Sequence, residues 1–132
     1  MGTDRVELVR AAYEGWNAEG LGALAPVLSE ASELHDAPEM PDASVSRGRE
    51  AVLARLDEVA QAVGGGSVEF LSIRPAGDAV LVAMRWIVPR EGRATELGSV
   101  VHLVEVRDGA IASIRVFLDE RQATEVAGAD SS

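Results

Sequence analysis

Val100-Val101-His102-Leu103-Val104-Glu105-Val106-Arg107-Asp108-Gly109-Ala110-Ile111-Ala112-Ser113-Ile114-Arg115-Val116-Phe117-Leu118-Asp119 is the stretch on which the fold turns. Two largely apolar, β-branched runs flank Asp108-Gly109, a pair that supplies the positive φ a tight hairpin needs. A strand over 95–106 and another over 110–119 follow. Upstream, 68–74 and 79–88 read as two more strands, turned by Pro75-Ala76-Gly77-Asp78 and joined onward through Arg90-Glu91-Gly92-Arg93. Because strand side chains alternate between faces, Val80, Val82, Met84, Val100, Val104 and Val106 form an inner set. Leu81, Ala83, Ile87 and Leu103 form an outer one, and His102 shares the inner parity.

The half before these strands is helical. Thr3 or Asp4 is placed to cap a first helix, with Glu7 three residues beyond Asp4 in capping-box spacing. Val6, Val9, Tyr13 and Trp16 then recur at helical steps up to Gly20. A short helix over 21–28 follows. Residues 29–47 read as irregular, with Pro38 and Pro41 barring a long helix and a brief strand near 33–36. Gly48 opens a third helix, whose Val52, Leu56, Val59 and Val63 repeat at helical spacing until Gly64-Gly65-Gly66. Helices first and a meander after predict an α+β domain over 1–127, with helices on one face of a curved antiparallel sheet. Residues 120–127 read as a frayed helical or irregular tail and 128–132 as disordered. An apolar outer sheet face predicts a homodimer through that face.

Composition narrows the function classes. The 132 residues carry 22 acidic and 12 basic side chains, a formal charge of −10, and all the basic ones are arginine. That balance argues against nucleic acid, whose phosphates need clustered cations. The all-arginine, Ala/Val/Gly-rich composition suggests a high-GC bacterial origin. With no cysteine there is neither a disulfide nor a thiolate site. Residues 1–5 show no hydrophobic signal core, and no apolar run approaches the roughly 18 residues that a membrane span needs. A cytoplasmic protein away from membranes is expected.

Three ionisable side chains interrupt the apolar pattern: Asp36, His102 and Asp119. If the strands line one cavity, these are its acid/base groups. Asp36 alternatively caps the proline-containing loop after it. His35 faces opposite to Asp36 if the segment is extended, and a one-residue slip exchanges them. His102 is either a hydrogen-bond donor to a ligand or a core histidine bonded to a neighbour. Asp119 is either a pocket acid or the cap of a following turn. Trp16, Tyr13, Trp86 and Phe117 are core aromatics, some of them forming cavity wall, and Met40 sits in a loop placed to cover the entrance. No spacing supports a metal site, and no phosphate loop or nucleophile elbow is present.

The ordered set Tyr13-Glu14-Gly15-Trp16-Asn17, Leu34-His35-Asp36, Arg47-Gly48-Arg49-Glu50-Ala51-Val52, Val106-Arg107-Asp108-Gly109 and Arg115-Val116-Phe117-Leu118-Asp119-Glu120-Arg121 resembles the SnoaL-like proteins. These belong to the nuclear transport factor two-like superfamily, with steroid Δ-isomerases and polyketide cyclases as relatives. The resemblance implies a cone-shaped, cystatin-like α+β roll enclosing a pocket for a small apolar organic molecule. It also implies that any catalysis is cofactor-independent proton transfer on a carbonyl compound: isomerisation or cyclisation with Asp36 or Asp119 as base and His102 as donor to the enolate oxygen. A non-catalytic ligand-binding or dimerisation module of the same fold is the alternative. Two departures matter. The isomerases' oxyanion tyrosine would fall at Ala12. The epoxide hydrolases' second acid, beside Arg85 and Asp119, would fall at Ile87.

Overall fold

The structure, a computed structural model, describes residues 2–40, 43–62 and 67–131. Helix α1 (Gly2–Glu19) begins before Thr3 and Asp4, so both lie inside its first turn rather than capping it. It ends where Gly20 turns to φ 100° while its N–H still bonds to the Trp16 carbonyl at 2.8 Å. That left-handed backbone is open to glycine at little steric cost. A 3₁₀ helix (Leu21–Val27) leads into β1 (Leu28–His35), and β2 (Val45–Arg47) pairs back on it. Helix α2 (Arg49–Ala62) starts after Gly48, whose carbonyl accepts the Val52 N–H at 2.9 Å. The glycine triplet expected to close it lies outside the described residues.

Strands β3 (Ser67–Ala76), β4 (Ala79–Arg90), β5 (Arg93–Arg107) and β6 (Ala110–Phe117) form the expected meander. Asp108 and Gly109 take φ of 53° and 77°, as do Glu91 and Gly92 at the preceding turn, so both hairpins close through left-handed residue pairs. The six strands lie in the order β2-β1-β6-β5-β4-β3. One pairing departs from the antiparallel expectation: β1 runs parallel to β6, with Leu34 opposite Ile114. Irregularities in register interrupt the β3–β4, β4–β5 and β5–β6 ladders, and such bulges bend and twist strands into a curved sheet.

The inner face is the core. Val80, Val82, Met84, Val100, Val104 and Val106 pack with Val9, Tyr13 and Trp16 of α1 and with Val52 and Leu56 of α2. This is the inner set that alternation predicts. The outer face behaves differently from expectation. The tail takes the helical alternative as a twelve-residue helix α3 (Glu120–Ser131), which continues through the segment from Gly128 where disorder is expected. Its Ala123, fully buried, packs with Leu81, Ala83, Val101, Leu103 and Phe117, and Val126 lies against the same cluster. Leu81, Ala83 and Leu103 of the apolar outer set are therefore covered by this chain itself, while Ile87 lies outside the cluster. Phe117 belongs to this outer cluster, which corrects its assignment to the pocket.

Ala123→Arg forces a charged stem into that cluster. Denaturant unfolding should show a loss of about 1–3 kcal/mol, the usual penalty of overpacking. An unchanged midpoint would mean that α3 is not seated on the sheet.

Candidate functional site

His102 sits mid-strand on β5, between Val82 of β4 and Val116 of β6. The residue is only 4 % exposed. Removal from water disfavours the imidazolium and lowers its pKa to about 4, so the ring is neutral at pH 7. A buried imidazole needs a partner, and α1 provides one: Tyr13 Oη lies 2.9 Å from Nδ1. Tyr13 is itself fully buried, which pushes its own pKa well above the ordinary phenol value. Trp16, one turn further along α1, lies nearly parallel to the imidazole, at 15° with ring centres 6.4 Å apart. Trp86 of β4 meets Trp16 edge-on at 6.2 Å.

These rings border a cavity of about 240 Å³ between the sheet and the helices. Its walls are mainly apolar, from Trp16, Leu34, Met40, Leu56, Trp86 and Val116, with Asp36, Ser99 and His102 as polar members. No hydrogen bond of His102 to a described residue uses Nε2, and the residue lines the cavity. On the far side of the two tryptophans lies a second cleft, lined by Asn17, Leu21 and Asp57, so Trp16 and Trp86 form the partition.

Asp36 reaches the same cavity from the end of β1, and its side chain is only 2 % exposed. It is heavily engaged. Arg55 of α2 donates from Nη2 to Oδ2 at 2.8 Å and from Nε to Oδ2 and Oδ1 at 3.0 and 3.3 Å. The Ser44 backbone N–H adds a bond to Oδ2 at 3.1 Å, and its hydroxyl donates at 3.4 Å. In return the Asp36 N–H bonds to the Ser44 carbonyl at 3.1 Å. Charge-assisted pairing of this kind favours the guanidinium, and Arg55 is raised above its usual pKa chiefly by its hydrogen bond to Asp36. The carboxylate thus closes the loop between β1 and β2 and ties it to α2. Oδ1 alone stays lightly engaged, with the single 3.3 Å contact.

The other expected site residues separate from this group. His35 faces away from the cavity and pairs with Glu33 at 3.0 Å in a polar groove on the opposite sheet face, holding the Glu33 carboxylate below its usual pKa. Strand alternation therefore resolves the His35/Asp36 ambiguity in favour of Asp36. Asp119 is exposed, and its Oδ1 accepts the Arg121 N–H at 2.8 Å. That is the geometry of an N-cap for α3, and Asp119 does not line the cavity. Tyr13 also stands behind His102 rather than on the cavity wall. Arg85 pairs with Glu69 across β3 and β4 and does not line the cavity either. Trp16, Met40 and Trp86 line the cavity as expected. Arg55 and Ser44, which hold Asp36, were not singled out from the sequence. The sequence shows only an arginine beside the apolar Leu56 of an amphipathic helix.

A model of the SnoaL-like domain matches residues 9–114, most of the chain. The chain belongs to that family. Solved structures similar to it share its fold. TerC, co-crystallised with polyporic acid, superposes with a TM-score of 0.71 at 19% identity, covering 95% of this chain and 98% of its own. A protein with a cystatin-like fold from Xanthomonas campestris gives 0.71 at 19% identity, covering 96% and 97%. An LEH-like epoxide hydrolase from M. tuberculosis gives 0.66 at 21% identity, covering 99% and 98%. No curated protein sequence matches the chain significantly. Among the described residues, no helix is long and apolar enough to cross a membrane.

Burial of a neutral His102 leaves a thermodynamic signature. The unfolded chain takes up this proton near pH 6.5 and the folded protein only near pH 4. The contribution is therefore complete above pH 6.5 and is lost as pH falls towards 4. Its size is about 3 kcal/mol. Unfolding free energies at pH 7 and pH 4.5 should differ by less in His102→Leu than in the parent. Equal differences would show that His102 titrates normally.

Proposed function

We propose that the protein binds a small, largely apolar carbonyl compound in its inner cavity, with the carbonyl oxygen bonded to His102. One observation carries this reading: an apolar cavity of about 240 Å³ contains a buried imidazole whose Nε2 has no partner among the described residues. Ligand sites combine mostly apolar walls with few, well-placed polar groups, and a neutral imidazole N–H suits a carbonyl oxygen. The family assignment supports a pocket protein without selecting a reaction. The reading requires no cofactor.

The sequence contains two tryptophans, and both line the cavity, so intrinsic fluorescence reports its occupancy directly. Titration with 1-indanone, a two-ring ketone, should give saturable quenching or a spectral shift. A response that only rises linearly with concentration, or none, would contradict the reading.

A second reading adds catalysis, and one observation favours it: Asp36 lines the same cavity and its Oδ1 is lightly engaged. In an enolisation, Asp36 would take a proton from the carbon beside the carbonyl, and His102 would hydrogen-bond the oxygen on which negative charge develops. Deuterium from solvent would then enter that carbon of 1-indanone. Asp36→Asn should slow the exchange by roughly two to four orders of magnitude, the usual size of a general-base contribution. Exchange at the buffer rate with the parent protein leaves a binding protein only.

A further inference from the structure

We infer that Tyr13 sets the chemical selectivity of the cavity: by donating its hydroxyl proton to His102 Nδ1 it holds the imidazole with its own proton on Nε2, so the cavity takes one- or two-ring units whose buried polar atom is a hydrogen-bond acceptor. This rests on the cavity being the ligand site.

The argument is one of counting protons. A neutral imidazole carries one N–H, and the phenol carries one O–H. Tyr13 is fully buried, and Nδ1 of His102, at 2.9 Å, is the one hydrogen-bond partner of its hydroxyl among the described residues. Were Nδ1 protonated, it would donate to the phenol oxygen, and the phenol O–H would be left buried without an acceptor. With the proton on Nε2 the unmade donor instead faces the cavity, where water or a ligand can accept it, and this difference biases the two arrangements by about tenfold or more. The proton therefore belongs on Nε2, the nitrogen that makes no bond to a described residue on a ring that lines the cavity. Burial keeps the ring from taking a second proton at neutral pH. Tyr13 lines no part of the cavity, so it acts through His102 and is a positioning residue.

Volume sets the size of the ligand. A dry apolar cavity of about 150 Å³ accommodates benzene. By that scale, the 240 Å³ here suits one ring with substituents or two fused rings. Trp16 and Trp86 stand between this space and the neighbouring cleft, so the part of a longer skeleton that exceeds the cavity is directed towards solvent rather than into that cleft. The part of the ligand held inside is thus a compact cyclic ketone, quinone or lactone unit.

The test has two arms. Long-range proton–nitrogen NMR of the unmodified protein at pH 7 identifies which nitrogen of His102 is protonated, and Nε2 is expected. Calorimetric titrations then compare 1-indanone, an acceptor, with indole, a donor of the same two-ring shape. The parent should favour 1-indanone by about tenfold, and Tyr13→Phe, which lacks only the hydroxyl, should bring that ratio close to one. A proton on Nδ1, or equal binding of the two probes to the parent, overturns the inference while the cavity remains a ligand site. If neither probe binds, the inference and the proposed function fail together.

Discussion

The hydrogen bond between Tyr13 and His102 is the constraint around which the inner layer is arranged. A polar ring placed mid-strand beneath a helix would ordinarily be left unsatisfied, because its strand neighbours Val82 and Val116 are apolar. Satisfying it fixes the rotation of α1, since the face that presents Tyr13 to Nδ1 is the same face that presents Val9 and Trp16 to the sheet. Packing and polar satisfaction therefore select one docking of helix on sheet. The same bond uses one nitrogen of His102 and leaves the other for the cavity, so a structural requirement of the core becomes a chemical property of the site.

A second polar tie secures the opposite wall. The Asp36 side chain is secluded like His102, but its partners are a cation, Arg55 from α2, and the Ser44 amide from the far end of the loop. Removing either partner of a buried ion pair is more damaging than never having had it, because the remaining charge is stranded. The tie explains how a proline-containing loop is held beside α2, with Met40 on the cavity wall. It also sets the two cavity groups apart. His102 keeps one nitrogen in reserve, whereas most of the Asp36 acceptor capacity is committed to structure.

Much of this was legible in the residues, and what was not has definite causes. Strand periodicity placed His102 with Val100 and Val104 because alternation is local and strict. Asp108-Gly109 located its hairpin for the same reason. The parallel pairing of β1 with β6 joins segments some eighty residues apart and leaves no local trace in either. The Asp36–Arg55 pair is likewise a tertiary accident of helix placement, visible in sequence only as two charges near apolar residues. Phe117 and α3 are different, because the signal was there. With Ile114 and Val116 facing inward, the alternation of β6 turns Phe117 outward, and Asp119 two residues later is placed to cap a helix carrying Ala123 and Val126 towards it. Of the two roles open to Asp119, the capping one is the role it takes, and the helix it caps is the helical alternative for the tail.

The account stands or falls on where a ligand's polar atom goes. The most direct measurement is a crystal structure of the protein with 1-indanone. The account predicts the carbonyl oxygen about 3 Å from His102 Nε2, a normal hydrogen bond, with the rings against Trp16 and Leu34. A probe seated outside this cavity, or inside it with its oxygen turned away from His102, would contradict it.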